Sequence, residues 1–330
     1  MANTTVVDVV DFEPFLDGSQ KGRVGEAVVE SFKRTGFVYL ENHGLDKDKI
    51  EGMFRWSRDF FAQPMEVKQL APHPPSGTHH RGYSAPGIEK VVQHLYDRDE
   101  IEKSRAQAPD VKENFECGRE DDPAMPNIWL PDGVLPGFKE ACLEFYWLCR
   151  EVELNVLRAI ALGFHLREDY FVQYHQAADN QLRLLHYPSV PQQSLEKDEV
   201  VRIGAHSDFG TITLLLQDAV GGLEIEDPKQ PGVFQRAPPI EGSLIVNAGD
   251  FLQRWSNDTI RSAIHRVRAP SHVHTADGMT PERYSIPYFC SADFSSAVDC
   301  VPGTYSEENP KKYEPISAMG YIMQRLASNY

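Results

Sequence analysis

The residues with the clearest capacity for chemistry are His206 and Asp208, in the stretch GAHSDFG (Gly204–Gly210). One residue separates them, between Val200–Ile203 and the apolar run Thr211–Leu216. On a β-strand, side chains at i and i+2 point to the same face, so the spacing predicts an imidazole and a carboxylate presented together. A second imidazole, His265 in SAIHRV, follows another strand-rich stretch at a separation long enough to return across a barrel. Two histidines and one carboxylate are the donor set that holds Fe(II) while leaving positions open for substrate and oxygen. The spacing alone fits a hydrogen-bonded polar pair as well as a metal site, and both readings stay open at this point.

Arg283 and Ser285, in ERYSIPYF, repeat the i, i+2 arrangement with a guanidinium and a hydroxyl. The planar guanidinium grips a carboxylate through two parallel hydrogen bonds, and a neighbouring hydroxyl adds another. Ile286, Tyr288 and Phe289 make this segment apolar, and an arginine buried there needs an anionic partner. An ordinary surface arginine beside a strand serine is the plain alternative. Other histidines carry less. His79-His80 and His272-x-His274 lie in loops rich in Pro, Gly and Ser and are read as loop residues, not ligands. His186 points away from the Tyr187 face and is expected to be a hydrogen-bonded structural residue.

These side chains need elements to position them. Val6–Phe15 reads as a short strand running into a turn, and Gly22–Lys33 as a helix with Val24, Ala27, Val28 and Phe32 on one face, ended by Gly36. FVYLENHG (Phe37–Gly44) reads as a buried strand, and Asp46 as the cap of a helix through Phe61. The Pro/Gly/His-rich loop Ala71–Gly87 has the length of a functional lid. Gly137–Gly163 is the longest helical pattern, with a shorter one over Arg167–Tyr174. After Asp179 the texture changes to short strand candidates: Leu182–Tyr187, Val200–Ala205, Thr211–Gln217, Leu223–Ile225, Ser243–Asn247 and Tyr284–Phe289. Pro315 precedes a final helical segment ending near Leu326. Together they predict an α+β fold, with a double-stranded β-helix (jelly roll) core flanked by N-terminal helices and a C-terminal helix. Residues 1–330 form one unit: a mainly helical region with short strands over 1–178, the jelly roll over 179–295 and a helical tail over 296–330.

The composition narrows the function. A net charge of −16 over 330 residues argues against a phosphate-binding surface. The acidic stretches Asp97–Glu102 and Glu116–Asp122 are expected on a solvated face. The 5 cysteines are odd in number and lack CxxC spacing, which suits a reducing compartment. Met1–Asp11 lacks the cationic start and apolar core of a signal peptide, and no apolar run is long enough to span a bilayer. A cytoplasmic location is expected.

With HxD, a distal His and RxS in this order, the sequence resembles the Fe(II)/2-oxoglutarate-dependent oxygenases of the isopenicillin-N-synthase-like group. The matching stretches GFVYLENHG, HSDFGTITLLLQD, GGLEI, VNAGDFLQRWSND, HRV and RYSIPYF run along nearly the whole chain. RGYSAPG (Arg81–Gly87), APDVKENFECGRED (Ala108–Asp121) and RLLHYP (Arg183–Pro188) are similar to the fungal thymine-7-hydroxylase branch. The resemblance implies that His206, Asp208 and His265 bind the iron and form the catalytic centre. It further implies that Arg283, Ser285 and the Tyr187 hydroxyl hold the distal carboxylate of 2-oxoglutarate. O2 is the other implied cosubstrate, with ascorbate as an expected stimulant. The mechanism that the resemblance implies is decarboxylation of this cosubstrate to succinate and CO2 as oxygen is delivered to a substrate C–H bond.

The resemblance implies a small planar substrate as well, with Phe209 and Phe289 for stacking and Asn180 and Arg183 as polar contacts. Arg81 and Tyr83 would face the pocket from a lid. Plain alternatives are core packing for the phenylalanines, capping for Asn180, an ion pair for Arg183 and a fixed turn for Arg81–Gly87. Two departures stand out: Phe209 where the thymine enzymes are expected to carry Tyr, and Ile88 where a charged residue is expected. Both point toward a methylated aromatic polyketide as the alternative substrate, with hydroxylation or ring expansion as the outcome. An oxidase that uses the same triad without 2-oxoglutarate, and a metal-free small-ligand-binding barrel, are further alternatives. No nucleic acid, membrane or obligate protein partner is expected.

Overall fold

Helix formation near the start follows from apolar spacing. In helix α1 (Lys21–Thr35), Val24, Val28 and Phe32 fall one turn apart and are buried. Burying each contributes roughly 1.5–3 kcal/mol. Gly36, with φ +74°, ends the helix and donates its N–H to Phe32 O at 2.9 Å. Strand β1 (Val9–Asp11) before the helix and strand β2 (Phe37–Glu41) after it pair in parallel. Helix α2 (Lys47–Phe61) starts where expected, with Asp46 Oδ1 accepting from the Lys49 N–H at 3.1 Å. The computed structural model describes residues 6–75, 79–88, 110–197, 200–268 and 277–327. The expected Asp97–Glu102 surface run, His272-x-His274 and the first two residues of Ala108–Asp121 lie outside them.

Strands β3 (Gly82–Ser84) and β4 (Glu113–Cys117), helix α3 (Phe138–Gly163) and strand β5 (Gln181–Tyr187) follow. The jelly roll continues with β6 (Ile203–His206), β7 (Ile212–Gln217), β8 (Leu223–Glu226), β9 (Phe234–Arg236) and β10 (Leu244–Ala248). Helix α4 (Asp250–Trp255), strand β11 (His265–Val267) and strand β12 (Arg283–Cys290) complete it. A small ribbon, β13 (Ala297–Val298) with β14 (Ile316–Ser317), leads into helix α5 (Ala318–Ala327).

The described strands form an 8-stranded sheet, β1-β2-β10-β7-β12-β5-β4-β3, and a 4-stranded sheet, β6-β11-β8-β9. Leu185, Tyr187, Ile203, Leu223, Ile225, Ile245 and Val267 pack between the sheets. The other face of the large sheet packs on the helices through a second, larger cluster. Strands β1 to β4 thus come from the mainly helical region yet extend the jelly-roll sheet at both edges.

Two expectations need correction. Arg167–Tyr174 is no α-helix: after His165, at φ +57°, the chain makes turns and a single 3-10 segment at Val172–Tyr174. Phe171 and Tyr174 each pack edge-on to Trp255 at 5.0 Å, and that anchoring overrides the local helical spacing. Glu116–Asp122 is not a uniformly solvated run, because Glu116 and Asp122 are buried. Glu116 pairs with Arg183, and Asp122 accepts from Arg81 and from the Ala124 and Met125 amides.

Helices α1 and α3 touch where neither has a side chain. A Cβ on Gly25 would lie 2.5 Å from Ala159 O, and one on Gly163 would lie 2.3 Å from Gly25 O. Gly25→Ala would gain about 1 kcal/mol of helix propensity. Forcing a methyl against backbone costs roughly 1–3 kcal/mol. The clash should win: a thermal melt of Gly25→Ala is expected a few degrees below the parent, and an unchanged or raised midpoint would contradict the packing described.

Candidate active site

Antiparallel pairing of β6 and β11 sets His206 directly opposite His265, with ring centroids 4.3 Å apart. Each imidazole is oriented by a backbone carbonyl. His206 Nδ1 lies 2.9 Å from Gly204 O, and His265 Nδ1 lies 3.1 Å from Ala263 O. With Nδ1–H donating, both Nε2 lone pairs face inward as ligands. Asp208 sits past the end of β6, not on the strand as the spacing implied. The chain turns there toward β7, and Asp208 O accepts the Asp250 N–H at 2.7 Å. The carboxylate is still aimed correctly, because Oδ2 accepts from Thr213 Oγ1 at 2.6 Å and from Asn247 Nδ2 at 2.7 Å. Oδ1 is left 3.9 Å from His206 Nε2 and 3.8 Å from His265 Nε2.

Electrostatics favour a cation at the centre of the three. Burial holds the His206 imidazole neutral, and His265 beside it pushes the same way. Burial opposes the Asp208 carboxylate, but the two imidazoles and the bonds from Thr213 and Asn247 outweigh it, holding the group ionised. Two imidazoles and one carboxylate fit Fe(II), which when bound would supply the Lewis-acid and oxygen chemistry that no side chain offers.

The cosubstrate end lies along β12. Arg283 is the cross-strand neighbour of Tyr187, and Ser285 that of Leu185. Arg283 Nη1 donates to Ser285 Oγ at 3.1 Å and Nη2 to Gln217 Oε1 at 3.2 Å. Arg202, fully buried and missed at the sequence level, joins them. Its guanidinium and that of Arg283 lie 5.9 Å and 4.8 Å from the Tyr187 ring centroid. Arg202 donates one bond, to Pro281 O at 2.5 Å. Its Nε and Nη1, and the Nε of Arg283, are buried without a partner among the described residues. Burial first, and Arg283 second, push the Arg202 group down to about 10. Orphaned buried donors of like charge are a cradle for a carboxylate, which fits the far end of 2-oxoglutarate. The signal was an arginine inside the apolar run Val200–Ile203.

At the other end, β5 and β12 send alternate residues into the same cavity: Gln181, Arg183, Leu185 and Tyr187 from one, Arg283, Ser285, Pro287 and Phe289 from the other. Phe209 and Ile322 of α5 add to the wall. The Arg325 guanidinium lies 5.1 Å from the Phe209 ring centroid, and that of Arg183 lies 5.3 Å from Phe289. Asn180 lines the cavity, but its amide is engaged inside the protein. Nδ2 donates to Glu153 Oε2 at 2.5 Å and Tyr288 OH at 3.0 Å, while Oδ1 accepts the Ser291 N–H at 2.9 Å. Gln181 Nε2, by contrast, is buried without a partner among the described residues, a polar group that the sequence reading passed over.

The RGYSAPG reading divides. Arg81 lines the cavity, held by Asp122 at 3.3 Å and by the Met125 and His80 carbonyls at 3.2 and 2.8 Å. Tyr83 does not face it. Its hydroxyl donates to Glu113 Oε2 at 2.5 Å, and its ring packs on Phe60 in the helix-side core. Gly82, at φ +81°, breaks the alternation that would have put both residues on one face. Residues 82–84 are a buried strand paired with β4, so this part of the motif is no lid. His186 is structural as expected, its Nδ1 2.7 Å from Glu113 Oε1.

Asn247→Ala removes a hydrogen bond that aims Asp208, and loss of such supporting contacts costs about 10–100-fold in metal affinity. The Fe(II) concentration for half-maximal turnover should rise accordingly while the KM for 2-oxoglutarate stays near the parent's. Arg202→Met removes a charged donor worth roughly 1.5–3 kcal/mol. It should raise the KM for 2-oxoglutarate at least about tenfold, while the ligand-free protein melts no lower, since a buried like charge is gone. An unchanged KM would remove Arg202 from the cradle.

Known proteins resemble this chain along its whole length. Residues 7–132 match the model of the non-haem dioxygenase in morphine synthesis N-terminal family, and 178–292 that of the 2OG-Fe(II) oxygenase superfamily. A 2-oxoglutarate-Fe(II) type oxidoreductase, ppzD of Metarhizium rileyi, is 38% identical over 98% of this chain and 91% of its own. The proline hydroxylase buaE of Petromyces alliaceus is 38% identical over 98% and 99%. A full-length Neurospora crassa protein, crystallised in complex with alpha-KG and thymine, is 43% identical, covers 100% of this chain and 99% of its own, and superposes with a TM-score of 0.88. With the triad and the paired arginines in place, the chain belongs to the 2-oxoglutarate- and Fe(II)-dependent oxygenases.

Proposed function

We propose that this dioxygenase oxidises the methyl substituent of a small planar ring, of the thymine-like pyrimidine class. The net reaction converts a methyl group, O2 and 2-oxoglutarate into a hydroxymethyl group, succinate and CO2. One observation carries the reading: the β5/β12 ladder that holds the cationic cradle at Arg283 and Tyr187 ends, in the same cavity, at Phe289, with Phe209 directly after the metal ligand Asp208. Two aromatic rings in one cavity, one of them directly after Asp208, suit a flat ring presenting one substituent. Gln181 Nε2 and Arg183 are the polar groups suited to a ring carbonyl. The structural relative solved with thymine supports the pyrimidine class.

A second reading, a secondary-metabolite oxygenase acting on a methylated aromatic ring, is favoured by two features. Phe209 brings no hydroxyl to the wall, and the Asn180 amide is committed inside the protein. The relative buaE, a proline hydroxylase, keeps a saturated ring in view as well. The 5 cysteines, all buried and unpaired, accord with a cytoplasmic setting.

The deciding experiment loads the protein with Fe(II) and 2-oxoglutarate without oxygen, then measures succinate on admitting oxygen with thymine, methylated phenolic aldehydes and acids, or L-proline. Thymine should stimulate succinate release with hydroxymethyl product in equal amount. Stimulation by the phenolic compounds alone would transfer the enzyme to the second reading, and stimulation by proline alone would defeat both.

A further inference from the structure

The edge of the large sheet carries another group of ligand-type side chains. His73, His80 and Glu116 each bring one ligand atom within 4.8 Å of the others. Glu116 Oε2 lies 3.9 Å from His73 Nε2 and 3.9 Å from His80 Nδ1. The iron triad has the same spacing, at 3.9 and 3.8 Å. The tautomer logic recurs as well. His73 Nδ1 lies 2.6 Å from Pro74 O, so Nδ1–H donates there and the Nε2 lone pair turns to Glu116.

Glu116 supplies an independent sign. It is 1% exposed, and its Oε2 has no hydrogen-bond partner among the described residues. Arg183, its cross-strand neighbour, grips the other oxygen and fixes the carboxylate plane. A buried carboxylate oxygen aimed between two imidazoles, with no donor, is costly unless a cation sits there.

We propose that His73, His80 and Glu116 form a second divalent-cation site, for a borderline ion of the zinc class. Two imidazoles and one carboxylate suit zinc, and a single protein oxygen is too few for magnesium or calcium. The frame is rigid. His73 donates its N–H to Tyr83 O at 2.9 Å, His80 lies just before β3, and Glu116 on β4 is the cross-strand neighbour of Gly82. His80 and Arg183 line the catalytic cavity, so an ion held here ties the 71–73 segment to β3 and β4 and fixes the cavity wall away from the iron.

Equilibrium dialysis of chelator-stripped, full-length protein against Zn2+ tests this. The parent should bind two equivalents, and His73→Ala and Asp208→Ala one each. The His73 side chain is only 10% exposed, so the metal-free melting midpoint of His73→Ala is measured beside the parent's, and His73→Gln, which keeps a polar side chain there, provides a second variant. X-ray absorption of zinc-loaded Asp208→Ala should show imidazole ligands that disappear in the double variant with His73→Ala. A parent that binds one equivalent and loses it in Asp208→Ala overturns the site, as does a His73→Ala protein that still binds two.

Discussion

Charge buried without its complement is the constraint around which this jelly roll is built. Arg283 lines the cavity between the sheets and buried Arg202 lies beside it at the Tyr187 ring, both with donors unspent among the described residues. Asp208 lines the same cavity with one oxygen facing two imidazoles. Each group alone would lower the stability of the fold by the cost of desolvating it. Together they describe the ligands that the family uses: a dianion whose far carboxylate neutralises the guanidiniums, and a dication that neutralises Asp208. The apolar strands are stable enough to tolerate the strain because helices α1, α2 and α3 back the whole large sheet. Stability is generated on one face of that sheet and used on the other.

The large sheet also sets distance. On β12 the residues facing the cavity are Arg283, Ser285, Pro287 and Phe289, and β5 answers with Tyr187, Leu185, Arg183 and Gln181. Strand rise is about 3.4 Å per residue. Arg283 and Phe289 are therefore held apart by a fixed hydrogen-bonded ladder, while β6 and β11, which carry His206 and His265, belong to the small sheet. This rigidity explains how the chemistry can stay constant while residues at the Phe289 end change the substrate.

Much of this was legible because period-2 spacing converts directly into geometry. Arg283 and Ser285 were placed correctly by that rule, and the helices capped by Asp46 and ended by Gly36 followed from local signals. The rule failed where the backbone left the strand. Asp208 lies in a turn and is aimed by Thr213 and Asn247, both distant in sequence. Tyr83 is turned away by the left-handed Gly82. Arg202 was hidden because a charged residue in a short apolar run has no local partner to announce it. Glu116 looked like solvated surface because its partners, Arg183 and the imidazoles, come together only through sheet pairing.

The C-terminal helix is more than a cover. Asp250, at the start of α4, donates its N–H to the Asp208 carbonyl and accepts from Ser207 at 3.0 Å and Ser262 at 2.7 Å. Burial raises the Asp250 carboxyl, while Arg325 and the two serines pull it back toward the ionised form. Arg325, on α5, binds the same carboxylate at 2.8 Å and lies over Phe209. One buried acid thus joins the segments that carry His206, Asp208 and His265 to the helix that shapes the cavity wall. The Phe209 ring is packed by the same arginine that binds the acid holding the Asp208 turn, so the substrate wall and the turn that carries Asp208 share one network.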